Sequence, residues 1–402
     1  MPLPDYFLNE LKSRVDIADI VSSYVNLKRR GKNLVGLCPF HNEKTPSFNL
    51  YPDNGSFYCF GCGTGGDVIT FIRKIENLDY IEAVKLLAGK AGLQMPEDNI
   101  DDSMSKLRTR VLEINRETAK FFHTALYSPE GKPGLDYFVN RGMTPQLIKH
   151  FGLGYSPGSR YALVNHLSQL GYTKDELVQA NVAFLSKNGN LVDRFFARVM
   201  FPIIDLRGNV VAFGGRILTD DKPKYINTSD TPVYHKSSGL FAMNFAKKSG
   251  EQLILAEGYM DVISLHGAGF TGAVASLGTS LTPEQARIIS RYAKEIVICY
   301  DSDAAGQKAA QRAIPILRNA GLLVRILTVP GNKDPDEFIR SGGRDGPTKF
   351  KMLLNACGND VEYRLEKLKQ TYDITTPDGK VQYLTSAAAL LSTLENAIER
   401  DV

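Results

Sequence analysis

Two apolar runs that end in acidic residues decide the fold. They are Leu253-Ile254-Leu255-Ala256-Glu257-Gly258-Tyr259-Met260-Asp261 and Glu295-Ile296-Val297-Ile298-Cys299-Tyr300-Asp301-Ser302-Asp303. Short continuous apolar runs bounded by turn residues predict fully buried strands of a parallel sheet. Open sheets of this kind place their sites at the carboxyl ends of the strands. We therefore expect Glu257, Asp301 and Asp303 to meet at one edge of the sheet.

The segments around these runs alternate between strand and helix patterns. Further strands are expected near residues 271–275 and 322–328, with helices beginning near Tyr259, after Thr282 and after Asp303. Such alternation predicts a parallel sheet covered on both faces. Upstream, residues 198–205 and 209–216 flank a Leu206-Arg207-Gly208 turn and predict an antiparallel hairpin. The residues beyond 333 carry helical patterns, which makes the chain a multidomain α/β and α+β protein.

Carboxylates that converge at one sheet edge predict a divalent cation, because the like charges would otherwise repel. Hard cations such as Mg²⁺ prefer oxygen ligands and keep room for water or phosphate. Asp334 and Asp336 form another acidic cluster soon after a strand. Taken singly, Asp303 could cap a helix and Asp336 could be a turn residue. Taken together, the acids favour metal-dependent phosphoryl transfer on nucleic acid, with Gly306 allowing close approach of the backbone.

A second metal site is indicated near the amino terminus. Cys38-Pro39-Phe40-His41 and Cys59-Phe60-Gly61-Cys62 give the spacing C-x2-H and C-x2-C, with β-rich segments between them. Three thiolates and one imidazole form a closed tetrahedral set that is typical of structural zinc. We expect one zinc ion that stabilises a small ribbon-like sheet and leaves no ligand position for catalysis.

Basic and aromatic residues accompany the predicted ribbon. Cations interleaved with aromatic rings suit stacked bases and a phosphate backbone, so a single-strand binding surface is favoured. The alternative is that the rings form the core while the charges are solvated. The residues concerned are Lys28, Arg29, Arg30, Lys32, Lys44, Phe48, Tyr51, Phe57 and Tyr58. Downstream, Lys224-Tyr225-Ile226-Asn227 and Lys236 are of types that position phosphates, although solvated loops commonly contain the same residues.

The composition excludes several classes of protein. The 402 residues suffice for two or three domains, and the 43% hydrophobic content, 23% charged content and +4 formal charge are those of an ordinary globular chain. No apolar stretch reaches membrane-spanning length, and no G-x-x-x-x-G-K-[ST] motif encodes a P-loop motor. Three of the five cysteines have metal-ligand spacing, which favours a reducing compartment, and we expect a cytoplasmic protein.

An acidic, aperiodic stretch near residues 95–103 is the clearest expected domain boundary. It separates a zinc-ribbon template-binding domain at residues 1–95, through a flexible linker at 96–105, from the remainder. The remainder is expected to comprise a basic subdomain at 106–250, the parallel α/β sheet at 251–332, and an acidic loop with helices at 333–402.

The acidic motifs resemble those of a known domain. Glu257-Gly258-Tyr259-Met260-Asp261 with Asp301-Ser302-Asp303 resembles the TOPRIM domain shared by bacterial primases, type IA and II topoisomerases and some nucleases. Together with the zinc-ribbon motif, four further motifs resemble the bacterial replicative primase family over essentially the whole chain. They are Asn140-Arg141-Gly142, Phe213-Gly214-Gly215-Arg216, Lys224-Tyr225-Ile226-Asn227 and Asp334-Pro335-Asp336-Glu337.

The resemblance implies a role for each matching residue. Glu257, Asp301 and Asp303 would bind two or more Mg²⁺ or Mn²⁺ ions, supported by Asp261, Asp334 and Asp336. A basic groove would hold nucleotide phosphates and template, and the ribbon would grip single-stranded DNA. The groove residues would be Arg141, Arg216, Lys224, Tyr225, Asn227 and Lys236, and the ribbon cations Lys28, Arg29, Arg30 and Lys44.

The implied reaction is RNA primer synthesis on single-stranded DNA, in which a 3′-hydroxyl attacks the α-phosphate of a ribonucleoside triphosphate. Two alternatives are a TOPRIM topoisomerase or nuclease, and a non-catalytic module that binds single-stranded DNA. A topoisomerase would need a tyrosine nucleophile in a further domain, and we find no stretch left to supply it. Family members usually continue into a helicase-docking domain, which we expect this chain to lack.

Overall fold

The computed structural model describes residues 3–41, 43, 45–76, 78, 80–96, 103–278, 280–331 and 334–392. Within these residues the strands form sheets of five, four, four and two strands. Lys44 and residues 97–102 of the expected linker lie outside the described residues. A long helix already begins at Ser103, so the last three residues of the expected 96–105 linker are helical instead.

The amino-terminal region is a five-stranded antiparallel sheet with helices at both ends of the sequence segment. Phe48, Phe57 and Phe71 are buried together, with the rings of Phe48 and Phe57 stacked 5.3 Å apart. The predicted cap at Asp67 is confirmed, since its carboxylate accepts a hydrogen bond from the Thr70 amide at 2.9 Å. The elements are α1 Asp5–Arg14, α2 Ile17–Ser22, β1 Lys28–Arg30, β2 Asn33–Gly36, β3 Phe48–Tyr51, β4 Ser56–Cys59, β5 Gly65–Asp67, α3 Val68–Ile75 and α4 Tyr80–Ala91, with the strands paired in chain order.

The middle region packs helices against a four-stranded antiparallel sheet. The predicted hairpin is confirmed: Phe213 lies opposite Pro202 and Arg216 opposite Val199. Its elements are α5 Ser103–Leu126, α6 Lys132–Asn140, α7 Pro145–Phe151, β6 Gly154–Ser156, α8 Ala162–Gln169, α9 Lys174–Gln179, β7 Ala183–Leu185, β8 Leu191–Asp193, β9 Arg198–Ile204, β10 Val210–Ile217, β11 Tyr225–Asn227 and α10 Met243–Ala246. The sheet order is β11-β10-β9-β6, and β7 pairs with β8.

The predicted parallel sheet is confirmed, with the strand order β13-β12-β14-β15. Its elements are β12 Gln252–Ala256, α11 Tyr259–Gly267, β13 Ala273–Ala275, α12 Pro283–Ser290, β14 Glu295–Ile298, α13 Ala304–Asn319 and β15 Leu323–Ile326. Leu255 of β12 is paired with Val274 on one side and with Ile298 on the other. From β12 the chain first adds β13 on one side of β12 and then crosses back to add β14 on the other side. Where the connections diverge in this way, a crevice forms at the carboxyl ends of β12 and β14.

The remaining regular elements are helices, as expected. They form α14 Pro335–Ser341, α15 Gly346–Ala356, α16 Asp360–Thr371 and α17 Pro377–Ser392. Helix α14 packs against α11, and Ile339, Phe350 and Leu354 join the hydrophobic core beneath the parallel sheet. The acids at the start of α14 therefore lie beside those that follow β12. In the described part of the chain, no helix is both long and apolar enough to span a bilayer.

Candidate active site and zinc site

Glu257 and Asp301 meet at the carboxyl edge of the parallel sheet. Glu257 directly follows β12, and Asp301 lies on the loop that follows β14. The Asp301 backbone amide donates a hydrogen bond of 3.1 Å to Oε1 of Glu257. The two loops are therefore joined by the carboxylate itself, which brings the predicted acids together as expected.

The electrostatics of this edge are those of carboxylates that share a partly buried space. Burial, together with the charges of Asp301 and Asp303, raises the pKa of Glu257 to about 7. Burial also raises the pKa of Asp301, with contributions from Asp334 and Asp303, while the charge of Lys224 lowers it. The anionic forms are disfavoured by burial and by one another, so a cation would relieve both costs.

Asp303 and Gly306 shape the helix that begins at this edge. Asp303 caps α13, because its Oδ1 accepts a hydrogen bond of 2.7 Å from the Gly306 amide. That cap uses one of its two carboxylate oxygens. A side chain at position 306 would collide with the Asp301 backbone carbonyl and lie 2.6 Å from Oε1 of Glu257. Glycine is therefore required where the helix passes the two acids.

The donor set fits a hard divalent cation. Glu257, Asp301 and Asp303 present carboxylate oxygens from two adjacent strand ends, and Mg²⁺ and Mn²⁺ prefer such ligands. These three residues would hold the ion. Glu257 and Asp301 are half-buried and Asp303 is exposed, and a bound cation would offset the repulsion among the three carboxylates.

Asp261 lies one helical turn into α11, behind Glu257. Its Oδ2 accepts a hydrogen bond of 3.1 Å from the Gly258 amide, which fixes the turn that carries Glu257. Burial raises its pKa well above the usual range, and the charges of Asp334, Asp301 and Asp336 act in the same direction. It supports the acidic edge from within the fold.

Asp334 and Asp336 have different environments. Asp334 caps α14 by accepting a hydrogen bond of 2.6 Å from the Glu337 amide. Asp336 is 1% exposed and is paired with both Arg141 and Arg340, the latter at 3.1 Å. The alternative that Asp336 is a turn residue is wrong, because it lies inside α14. Its carboxylate holds Arg141 against the parallel sheet.

Cations predicted for the groove surround this edge. The guanidinium of Arg216 lies 4.9 Å from the Tyr137 ring centroid and 5.6 Å from that of Tyr225. Arg141 packs against the other side of this cluster, 5.6 Å from the Tyr137 ring centroid. Lys224 is exposed, and its effect on the pKa of Asp301 places it near the acids. Arg141 and Lys224 therefore lie beside acids of this edge, the positions that the resemblance implies for them.

Asn227 connects the antiparallel and parallel sheets. Its side chain accepts a hydrogen bond of 2.9 Å from the Tyr259 hydroxyl and donates one of 3.1 Å to the Leu277 carbonyl. Tyr259 is buried in the first turn of α11. Asn227 is placed to fix the two sheets relative to each other.

Lys236, also predicted for the groove, is half-buried, and its backbone amide donates a hydrogen bond of 3.0 Å to Asp230.

Two arginines that support the groove were missed by the sequence reasoning. Arg198 is 3% exposed and donates to the carbonyls of Pro223 and Lys224 at 3.1–3.2 Å. Arg194 donates to the Asn227 carbonyl at 3.1 Å. Together they hold both ends of β11, which carries groove residues. The available signal was an arginine that interrupts an apolar strand run at position 198.

The four predicted zinc ligands converge, with their ligand atoms all within 4.8 Å of one another. Sγ of Cys38 lies 3.9 Å from Sγ of Cys62, and Sγ of Cys59 lies 3.6 Å from Nδ1 of His41. Tetrahedral zinc with ordinary bond lengths requires about 3.8 Å between two sulfurs and about 3.6 Å between sulfur and nitrogen. The geometry therefore fits a divalent zinc-type ion held by four protein ligands.

Glu43 supports the zinc ligands and was also missed. Its Oε2 lies 3.3 Å from Nε2 of His41, and its Oε1 accepts the Cys38 amide at 2.8 Å. Ser47 extends this network, with its Oγ 3.2 Å from Sγ of Cys59. Such outer contacts orient the ligands. An acid two residues after the histidine was the available signal.

The ribbon separates the predicted binding residues into two groups. Lys28, Arg29 and Arg30 are all exposed on the edge strand β1. Phe48 and Phe57, in contrast, are core residues, so the expectation that they stack on bases is wrong. Alternation along a strand sends every second ring inward. Tyr58, which was predicted to stack on bases, is exposed and pairs with exposed Phe60, which was not considered; their ring centroids lie 5.0 Å apart.

Sequence models of four domain families match the chain. Residues 3–103 match the CHC2 zinc finger, residues 121–247 the N-terminal domain of the DNA primase catalytic core, and residues 254–339 a Toprim-like domain. Residues 361–402 match the DnaB-helicase binding domain of primase. The crystal structure of the zinc-binding and RNA polymerase domains of the Aquifex aeolicus primase is 34% identical, with a TM-score of 0.63. That similarity covers 100% of this chain and 94% of the Aquifex chain.

This chain belongs to the bacterial DNA primase family. The DNA primase of Clostridium acetobutylicum is 40% identical over 400 residues, which are 98% of this chain and 66% of that protein. The Pseudomonas putida DNA primase is 39% identical over 98% of this chain and 61% of its own length. A DnaG primase catalytic domain solved with single-stranded DNA is 30% identical, with a TM-score of 0.64 over 74% of this chain and 96% of that chain. The chain thus spans somewhat less than two thirds of these curated primases.

The expectation that a primase helicase-docking segment is absent is wrong. The match to the DnaB-helicase binding domain covers residues 361–402, of which α16 and α17 are described. The sequence reasoning missed it because a polar helix pair contains no metal-ligand or catalytic motif. Helix α17 exposes Val381 and Leu384, which are 64% and 62% exposed, and this exposure is visible only in the structure.

Proposed function

We propose that this chain synthesises short RNA primers on single-stranded DNA from ribonucleoside triphosphates. The observation that carries the proposal is the convergence of Glu257, Asp301 and Asp303 at one sheet edge bordered by cations. A nucleoside triphosphate needs both features, because its phosphates bring negative charge to a centre that must also hold metal. Membership of the primase family supports the same reaction.

The acids would hold two or more Mg²⁺ or Mn²⁺ ions. Bound there, such ions lower the pKa of the attacking hydroxyl and neutralise phosphate charge. The chain itself supplies positioning: the Asp301 amide fixes the Glu257 carboxylate, and Asp261 fixes the turn beneath it. The primer 3′-hydroxyl then forms a bond to the α-phosphate of the incoming nucleotide while the bond to pyrophosphate breaks.

The cations would bind the triphosphate and the template backbone. Arg216 is held between two tyrosine rings, and Arg141 is held by the buried carboxylate of Asp336. Guanidinium groups fixed in this way lose little conformational freedom when they bind phosphate. Lys224 is exposed, and its charge lowers the pKa of Asp301. It is therefore suited to bind the phosphates of the reacting nucleotide.

The ribbon would contribute a structural zinc ion and contact template through the exposed edge of β1. Helicase binding would involve the segment that includes α16 and α17. The domains would meet at residues 96–102, 250 and 332, with residues 103–105 belonging to α5. A bacterial replication fork in the cytoplasm is the expected location, in keeping with the bacterial relatives.

The deciding experiment offers the chain a single-stranded DNA template, four ribonucleotides and Mg²⁺ or Mn²⁺, and resolves labelled products on a gel. Short oligoribonucleotides that depend on both template and metal are expected. A parallel reaction contains supercoiled plasmid and metal without nucleotides. Relaxation or nicking of the plasmid in the absence of RNA synthesis would contradict the proposal and favour a DNA-cleaving TOPRIM enzyme.

A further inference from the structure

A wide cleft separates the zinc ribbon from the parallel sheet. Its volume is about 1050 Å³. One wall comes from α3 and the zinc-ligand segments of the ribbon, and the other from α12, the segment joining α12 to β14, and the end of α13. Lys294 and Gly321, which line it, precede the strands β14 and β15. The acids follow the opposite ends of the strands. The cleft therefore lies at the amino edge of the sheet, away from the candidate active site.

Both walls of the cleft are positively charged. Arg73 and Lys74 project from the last turn of α3 on the ribbon side, while Arg287, Arg291 and Lys294 lie on the sheet side. None of the lining residues within the described ranges is acidic. Five cations around one cleft create a strong positive potential, which attracts polyanions.

Two of these cations have carboxylate partners outside the lining. Arg287 is paired with Glu284 at 3.1 Å, and Lys294 with Glu251 at 2.6 Å. All four side chains are about half exposed or more. Exposed ion pairs of this kind contribute little free energy, so a phosphate can displace the carboxylates at small cost.

The ribbon touches the sheet domain through a polar contact across this cleft. The Arg291 guanidinium donates a hydrogen bond of 2.9 Å to the carbonyl of Ile75, the last residue of α3. This carbonyl neighbours Arg73 and Lys74, so bringing the walls together also brings like charges together. An anion seated between the walls would convert this repulsion into attraction to both sides.

We propose that this cleft binds the phosphate backbone of single-stranded nucleic acid outside the catalytic groove and thereby holds the ribbon against the sheet. His41 and Cys62 of the zinc site line the same cleft, so a strand there also contacts the surface that zinc shapes. The side-chain amide of Asn319 adds an uncharged donor for phosphate oxygens. Only the choice of nucleic acid over another phosphate chain rests on the proposed function.

Binding of fluorescein-labelled (dT)20 to the full chain tests the proposal by anisotropy across a salt series. The double variant Arg73→Glu/Lys74→Glu should bind at least fivefold more weakly. The slope of log affinity against log salt should become shallower by about 1.4, since each phosphate contact on a single strand contributes about 0.7. Arg287→Glu/Lys294→Glu, which changes the opposite wall, should behave in the same way.

The matched control is Arg14→Glu/Lys90→Glu, which makes the same charge change on exposed ribbon positions that do not line the cleft. Zinc content and the thermal unfolding midpoint verify that each variant is folded. All measurements are repeated in an Asp301→Asn chain, because binding at the cleft needs no synthesis. The proposal for the cleft can thus be rejected while the proposal for primer synthesis stands, and the reverse is also possible.

Sodium tripolyphosphate distinguishes the source of the phosphate chain. If it binds the wild-type chain and the cleft variants lose only that binding, with (dT)20 unaffected, the nucleic-acid proposal is overturned. It is also overturned if the cleft variants and the control variant bind (dT)20 alike. A loss of (dT)20 binding confined to the cleft variants supports it.

Discussion

The zinc ribbon and the acidic sheet edge both gather metal ligands, yet they are built in opposite ways. In the ribbon, thiolates and imidazole already lie at tetrahedral separations, and Glu43 and Ser47 orient them. At the sheet edge, burial and mutual repulsion raise the pKa of Glu257 to about 7. Four protein ligands fill the coordination shell of a zinc ion, which then only stabilises the fold. Three carboxylates leave coordination positions open for water and phosphate. This difference is the one expected between a structural centre and the reactive centre proposed above.

The largest effect is expected from substitutions that change only the acidic sheet edge. Glu257→Gln and Asp301→Asn should each reduce primer synthesis by roughly a thousandfold, because they remove charge that holds the catalytic cations. Product yield on a single-stranded template measures this, and zinc content should stay at one ion per chain. The exposed Glu366→Gln is the control and should retain full activity. Unchanged synthesis by both acid variants would reject the assignment of the site.

The next largest effect is expected from the loss of a zinc ligand. Cys59→Ser should release zinc and unfold the ribbon, because structural zinc supplies free energy of folding that a small sheet lacks on its own. Zinc content and protease resistance of residues 3–96 provide the measurement. Cys357→Ser removes a thiol outside the zinc set and should change neither quantity. Retention of zinc and protease resistance by the Cys59 variant would show that the fold does not depend on the metal.

A smaller effect tests how the sheet edge holds its cations. Asp336→Asn should destabilise the chain by about 2–4 kcal/mol, because it leaves two guanidinium groups beside a buried site without an anionic partner. Arg141→Gln should cost less, since Asp336 keeps Arg340. Urea unfolding of the two single variants and the double variant gives the coupling free energy. Additive losses would show that Asp336 and Arg141 do not interact.

The smallest effect sharpens the contrast between the centres. At pH 8 without added Mg²⁺ or Mn²⁺, Glu257→Gln should stabilise the sheet domain by about 1 kcal/mol, because folding raises the pKa of this carboxyl and penalises its charged form. The penalty is full above pH 7 and disappears as the pH falls toward the unfolded value of about 4.5, so the gain should shrink over that range. Thermal unfolding at several pH values measures it. A gain that grows on acidification would contradict this origin.

The sequence predicted the parts of both centres that depend on local patterns. The C-x2-H and C-x2-C spacing identified the zinc ligands, and the acids that end two apolar runs identified the sheet edge. The cap at Asp67, the hairpin at residues 198–216 and the helix start at Tyr259 also follow from neighbours in the chain. The inward direction of Phe48 and Phe57 was missed, because rings on a strand are sorted by what packs above them.

Residue types at fixed spacing thus determined which side chains could bind metal and phosphate, since ligand chemistry and strand periodicity act over a few residues. Only the tertiary structure decided that Asp336 is paired with Arg141 across 195 positions of sequence, or that Arg198 holds the strand carrying Tyr225 and Asn227. The same holds for the cation-lined cleft. Charges from distant segments interact strongly only after folding brings them together and removes the water between them.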